Sequence, residues 1–216
     1  MRNTHVPVGT WRGVNTNQNC YFLECFMDEA ARAAGRDPLE FRRTVMQKHP
    51  KHLAVLNAAA ERAGWGKPLP AGRFGGLAHF MGHGSYAAAI AEVSVSPKGE
   101  VKVHRMVLSL NCGHAVSLDQ IAAQVQGGVA MGMSTLLSQS SVANGRIQEN
   151  NFHTLQLPKM VHMPKVETVI APSFDFWGGV RESTIFMVIP SIFNAIYAAT
   201  GKPVHSLPLS GGLRLV

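Results

Sequence analysis

Ala91-Glu-Val-Ser-Val-Ser-Pro-Lys-Gly-Glu-Val-Lys-Val-His-Arg105 contains two runs in which apolar and polar residues take turns. Ala91, Val93 and Val95 alternate with Glu92 and Ser94, and Val101, Val103 and Arg105 alternate with Lys102 and His104. A period of two marks strands with one buried face, and Pro97-Lys-Gly-Glu100 between them has the chemistry of a hairpin connection. Downstream, Leu118 to Leu137 reads as a helix, Val166 to Ala171 as a strand, and Ser191 to Thr200 as a helix ended by Gly201.

Upstream the period is helical. Cys20 to Ala34 reads as a helix stopped by Gly35. A second helix starts at Asp37-Pro-Leu-Glu40, where Asp37 can cap, Pro38 suits the first helical position and Glu40 can reach back; it runs to about Lys48. Leu53, Leu56, Ala60 and Ala63 carry a third stripe that stops at Gly64. The prediction is an α+β fold: an antiparallel or mixed sheet with packed helices, preceded by a helical connecting segment. Pro68-Leu-Pro-Ala-Gly72 is the expected boundary, with a helical segment over residues 1–70 and an α+β domain over 71–216.

With 216 residues, 46% apolar and 15% charged, the chain can bury a sizeable core and is neither disordered nor fibrous. No apolar run is long enough to span a membrane, and Met-Arg-Asn-Thr-His at the start lacks the apolar stretch of a secretory signal. The compartment stays open, since an export signal can stand on a longer N-terminus. Net charge is +7, but Lys and Arg are scattered, with no basic run and no interleaved aromatics. That is not a nucleic-acid footprint; an anionic cofactor or an acidic partner subunit accounts for the excess equally well. Cys20, Cys25 and Cys112 have neither zinc spacing nor even number, and are expected as buried thiols. The pairs His49/His52 and His79/His83 are expected to be structural or surface groups, with no metal ligands in the chain.

Gln124-Val-Gln-Gly-Gly-Val-Ala-Met-Gly-Met133 sets an amide and three glycines inside an apolar helical run. Each helical glycine costs about 0.5–1 kcal/mol relative to alanine, so close approach of a ligand or another backbone is implied.

Around this stretch stand Gly82-His-Gly-Ser-Tyr86, Val101-Lys-Val-His-Arg-Met-Val-Leu-Ser-Leu-Asn-Cys-Gly113, Asn150-Asn-Phe-His153, Gly178-Gly-Val-Arg-Glu-Ser183 and Pro190-Ser-Ile-Phe-Asn-Ala-Ile-Tyr-Ala-Ala-Thr-Gly201. Before them come Gly9-Thr-Trp-Arg-Gly-Val-Asn-Thr-Asn-Gln-Asn19 and Phe26-Met-Asp-Glu-Ala30. In this order they resemble the C-terminal part of the molybdopterin-binding large subunit of the xanthine dehydrogenase and aldehyde oxidase family, in its isoquinoline 1-oxidoreductase beta-subunit branch.

The resemblance implies Glu182 as the general base next to molybdenum, and Arg12, Gly13, Gly84, Ser85, Gln124, Gly127 and Gly128 as cofactor-binding positions. It implies a molybdopterin cytosine dinucleotide, whose dithiolene rather than any side chain holds the metal. It also implies hydroxylation of an aldehyde or N-heteroaromatic carbon with oxygen from water, with iron–sulfur clusters on a small partner subunit. The N-terminal half of the large subunit, with its own glycine motif, has no counterpart here, so the polypeptide alone is expected to be inactive. This sequence departs from the family pattern at Arg181, at Ser183-Thr184-Ile185, at Asn111 and at Ser117-Leu118; Val14 sits near where relatives can present an aromatic ring. These departures support an alternative, a binding or assembly module that keeps the fold without the chemistry.

Overall fold

The computed structural model describes residues 9–171 and 173–216; Met1 to His5, read for an export signal, lie outside the described residues. Three helices come first: α1 (Thr16–Ala33), α2 (Pro38–Val45) and α3 (Pro50–Ala63). Gly35 and Gly64 close α1 and α3 at φ +62° and +74°, values that only glycine adopts freely. Asp37 caps α2 by accepting from the backbone N–H groups of Leu39 at 2.9 Å and Glu40 at 3.0 Å. Glu40 does not reach back; its carboxylate pairs with Arg43 on the same helix.

Strands β1 (Phe74–Gly82), β2 (Ser85–Val95) and β3 (Glu100–Asn111) form an antiparallel meander. After α4 (Leu118–Leu137) comes a minimal hairpin, β4 (Val142–Ala143) with β5 (Arg146–Ile147). Strand β6 (Lys165–Ile170) then pairs parallel to β3, α5 (Val188–Thr200) follows, and β7 (Arg214–Leu215) pairs with the start of β3. The sheet is therefore mixed, in the order β1-β2-β3-β6, and helices cover both faces. On one face Ala87, Ala89, Ala91 and Val93 of β2 meet α4 and α5; on the other Ala88 and Ile90 meet Leu39, Val55, Leu56 and Ala59 of α2 and α3.

Two features differ from the simple alternation. The residues expected to share a face were Val101, Val103 and Arg105, but a β-bulge lets Glu92 face Arg105 and Val93 face Val103, leaving His104 as the extra residue. Parity switches there. Val101 and Val103 are followed into the core by Met106, Leu108 and Leu110, while Arg105 is turned to the α3 side, where it bonds Glu92 at 2.8 Å and Glu167 at 2.9 Å. The second feature is β1, which no alternation announces. A Cβ at Gly76 would lie 2.1 Å from the Ala195 nitrogen and 2.3 Å from the Ser191 carbonyl oxygen, so α5 rests directly on bare backbone.

Strand β1 is also a sheet edge, and its outward groups are buried. Glu24 of α1 accepts from His79 N at 2.9 Å, and Asn194 Nδ2 donates to Leu77 O at 2.9 Å. Behind Glu24 lies Arg42, without exposure, at 2.9 Å from Glu24 and 3.5 Å from Asp28. Burial alone would raise the Glu24 carboxyl, but Arg42 and His79 hold it down at about 2. His52 and His79 stack edge to face at 5.2 Å, His83 stands in an exposed turn, and no group of three or more His, Cys, Asp or Glu among the described residues can hold a metal. Cys20, Cys25 and Cys112 are buried free thiols, and burial pushes all three upward, Cys25 to about 12. Among the described residues no helix is long and apolar enough to cross a membrane.

Candidate functional site

Three segments distant in sequence meet at one point: the loop before α1, the middle of α4 and the turn that leads into α5. Arg12 joins them. Its Nε donates to the Arg181 carbonyl at 2.5 Å, and Nη2 meets Gln124 O and Gln124 Oε1, each at 3.2 Å, and Thr184 Oγ1 at 3.0 Å. The remaining nitrogen, Nη1, makes no hydrogen bond among the described residues and lies 3.8 Å from where a Cβ on Gly127 would stand. No other group from outside α4 lies within 4 Å of that position among the described residues. A partly desolvated guanidinium with one free edge, facing bare helix backbone, is a suitable cradle for an oxygen-rich anionic group. Burial lowers the Arg12 pKa, nearby Glu182 opposes the shift, and Arg181 adds to it.

Gly13 makes the loop possible. At φ +94° it takes a conformation that a side chain resists, and a Cβ would meet Asn17 Oδ1 at 2.3 Å. Asn17 Nδ2 in turn donates to the Arg12 carbonyl at 2.7 Å, tying the loop to the first turn of α1. Val14 follows at φ +48°, unusual for a β-branched residue. Trp11 and Val14 on this loop, with Tyr21, Gly132, Thr135, Phe186 and Ile189, line a mainly apolar cavity of about 400 Å³ beside the polar cluster.

Gly128 sets the spacing between α4 and the turn. A Cβ there would fall 2.5 Å from Thr184 Oγ1 and 2.9 Å from the Thr184 carbonyl oxygen. Gly128→Ala is therefore expected to destabilise the chain by about 1–3 kcal/mol, the range for overpacking, despite the better helix propensity of alanine. Chemical denaturation measures this directly, and an unchanged midpoint would show that the turn is free to move.

Glu182 stands on that turn, with its side chain 26% exposed and 4.0 Å from the Arg181 guanidinium, itself mostly in solvent. At that distance, and with Arg181 in solvent, the pair holds neither partner firmly. Gly84 lies in the β1–β2 turn and Ser85 opens β2, and both face the other arm of the same segment. Ser85 Oγ donates to Gly179 O at 2.7 Å, Gly179 N donates to His83 O at 2.7 Å, and a Cβ on Gly84 would lie 3.4 Å from Gly178 Cα. The structure thus gathers Arg12, Gly13, Gln124, Gly127 and Gly128 around the turn bearing Glu182, and sets Gly84 and Ser85 behind it. Sequence reading missed Thr184, which entered only as a departure from a pattern; the close packing demanded by Gly128 was the available signal.

The family described as molybdopterin cofactor-binding domain matches residues 29–164, which include Gly84, Ser85, Gln124, Gly127 and Gly128. The beta subunit of isoquinoline 1-oxidoreductase from Brevundimonas diminuta is 28% identical over 214 residues, 96% of this chain and 27% of that protein. One nicotinate dehydrogenase subunit, from Pseudomonas putida, is 29% identical over 219 residues, 92% of this chain and 18% of that protein. The aldehyde oxidoreductase of Desulfovibrio gigas superposes over 92% of this chain and 40% of its own, with a TM-score of 0.67 at 16% identity, a likeness of fold. The chain spans about a quarter of the first of these relatives. It belongs to the molybdopterin cofactor-binding domain family, among the molybdopterin-binding subunits of the xanthine oxidase class.

Proposed function

We infer that this chain is the C-terminal portion of a molybdenum hydroxylase large subunit that oxidises an aldehyde or N-heteroaromatic carbon with water as the oxygen source. The observation that carries this reading is the free Nη1 edge of Arg12 facing bare Gly127 beside the Glu182 turn. The group proposed to bind is molybdopterin cytosine dinucleotide, and it supplies the redox-active metal centre when bound. The residues present fit such a group: an unengaged guanidinium edge, a helix surface without side chain, and space next to both.

Arg12 would bind a phosphate or pterin oxygen through Nη1. Because Arg12 engages the Gln124 amide oxygen, the Gln124 NH₂ is left as a donor for a cofactor edge. Glu182 would accept a proton at its carboxylate from the attacking water, the task of a general base. Gly84 and Ser85 would act through the Gly178-Gly179 arm that they brace. The apolar cavity of about 400 Å³ has the size and lining of a small organic ligand's pocket, and its walls include Trp11, next to Arg12 in the chain, and Ile185, next to Thr184, which supports its use by substrate. In this reading residues 1–70 continue from the N-terminal half of the large subunit, 71–216 form the cofactor-binding domain, and a small partner subunit carries the iron–sulfur clusters.

The isolated chain is expected to show no turnover with aldehydes or N-heteroaromatics and an artificial electron acceptor, whereas assembly with the rest of a related large subunit and an iron–sulfur partner should give it. Hydroxylation by the isolated chain would refute that dependence. Gly127→Ala supplies a finer test. With only Arg12 Nη1 near the new methyl, the cofactor-free chain should gain up to about 1 kcal/mol of stability from helix propensity. The assembled protein should nevertheless lose cofactor, and equal loading of both proteins would place the cofactor elsewhere.

A second reading, a module that keeps the fold without catalysis, is favoured by the cationic Arg181 beside Glu182. It predicts no cofactor even after assembly.

A further inference from the structure

Ser183 and Thr184 follow Glu182 in the turn before α5, and both are fully buried. Buried hydroxyls need partners, and these two reach in opposite directions. Ser183 Oγ donates to the Gly179 carbonyl at 2.5 Å, closing the arm that precedes Glu182. Thr184 Oγ1 accepts from Arg12 Nη2 at 3.0 Å and places its single hydrogen between the Gln124 carbonyl at 3.1 Å and the Arg181 carbonyl at 3.2 Å. Only a hydroxyl can accept from a cation and donate to a carbonyl at the same time at one atom; valine has the same shape and does neither. Gly128 packs against Thr184 and blocks retreat towards α4.

We propose that Thr184 is a positioning residue: its hydroxyl locks the Arg12 guanidinium to α4 and to the Glu182 turn, so that Nη1 stays aimed at Gly127. Ser183 performs the matching task for the backbone before Glu182. The use of this lock rests on the cofactor reading above, but the lock itself is a property of the cofactor-free chain.

The test is hydrogen exchange at Arg12 Nε in the full ¹⁵N-labelled chain, assigned by loss of the signal in Arg12→Lys. In the wild type this proton, bound to the Arg181 carbonyl, should exchange far more slowly than that of solvent-exposed Arg181. Thr184→Val should speed it by about tenfold or more, as expected for loss of a hydrogen bond to a charged group, while backbone amides of the sheet keep their protection. Thr184→Ser should restore it. A purely structural threonine would alter sheet and Arg12 protection together, and serine would restore neither selectively. Unchanged Arg12 exchange in Thr184→Val overturns the proposal. So does wild-type Arg12 exchange as fast as that of Arg181, a comparison that needs no variant to fold. Molybdenum content of the assembled protein separates this from the functional reading: a wild type that takes up none sinks the cofactor assignment, while the lock stands or falls on exchange alone.

Discussion

Glu182→Gln is expected to lower the rate of the chemical step in the assembled protein by about 10²- to 10⁴-fold, the usual contribution of a positioned general base, at nearly unchanged molybdenum content. Glutamine has almost the same shape but cannot take up a proton. The anchors of Arg12 are the Arg181 carbonyl, Gln124 and Thr184, none of which is the Glu182 side chain, so the binding geometry should survive the change. Single-turnover kinetics beside metal analysis separates the two quantities, and kcat and kcat/KM should fall together, as for an interaction made in the transition state. A fall of less than tenfold would mean that another group takes the proton.

Arg42→Met should destabilise the chain by about 3–5 kcal/mol, the range for breaking a buried ion pair on one side. Arg42 has no exposure and holds Glu24 and Asp28, so its loss strands a carboxylate that also satisfies the edge of β1 through His79 N. The same network sets acid sensitivity. Glu24 is held at about 2 against an ordinary 4.5, so its contribution is complete above 4.5 and is lost as pH falls through that window towards 2. His52 acts in the same direction at higher pH. Burial, then His79 and His49, hold it at about 4 against 6.5, so the folded state resists its protonation and stability declines as pH drops from 6.5 towards 4. Urea midpoints across pH 2–7 should therefore fall in two stages, and His52→Gln should remove the upper one. In Arg42→Met the lower stage should move to higher pH, because the Glu24 carboxyl loses its cation; an unmoved lower stage would assign acid unfolding to other groups.

Local signals were readable where the cause is local. Gly35, Gly64 and Gly201 end helices because each supplies a left-handed residue, and Leu118–Leu137 is one helix because its apolar stripe persists across three glycines. The β2–β3 hairpin follows from alternation and turn chemistry. What escaped depends on partners far along the chain. Strand β1 holds Gly75, Gly76 and Gly82 because α5 and other neighbours press on it, which a period of two cannot reveal. The bulge at His104 reverses parity without any change of residue type, so Arg105 reads as inward and is found on the other face. Glu24 and Arg42 are separated by a helix boundary and look like surface charges until α1 and α2 pack. At the site, Arg12, Gln124 and the Gly127-Gly128 pair were legible as residues. Their convergence through Thr184, 172 positions from Arg12, was not.

The assignment of the Arg12, Gly127 and Glu182 cluster to a molybdenum cofactor site is the proposal on which the function rests. Its most direct test is the molybdenum and pterin content per polypeptide of this chain, produced alone and together with the N-terminal half of a related large subunit in a host that makes the dinucleotide cofactor. Near-stoichiometric cofactor in the combined sample and none in the chain alone is the predicted result. Folded protein without cofactor in both would contradict it.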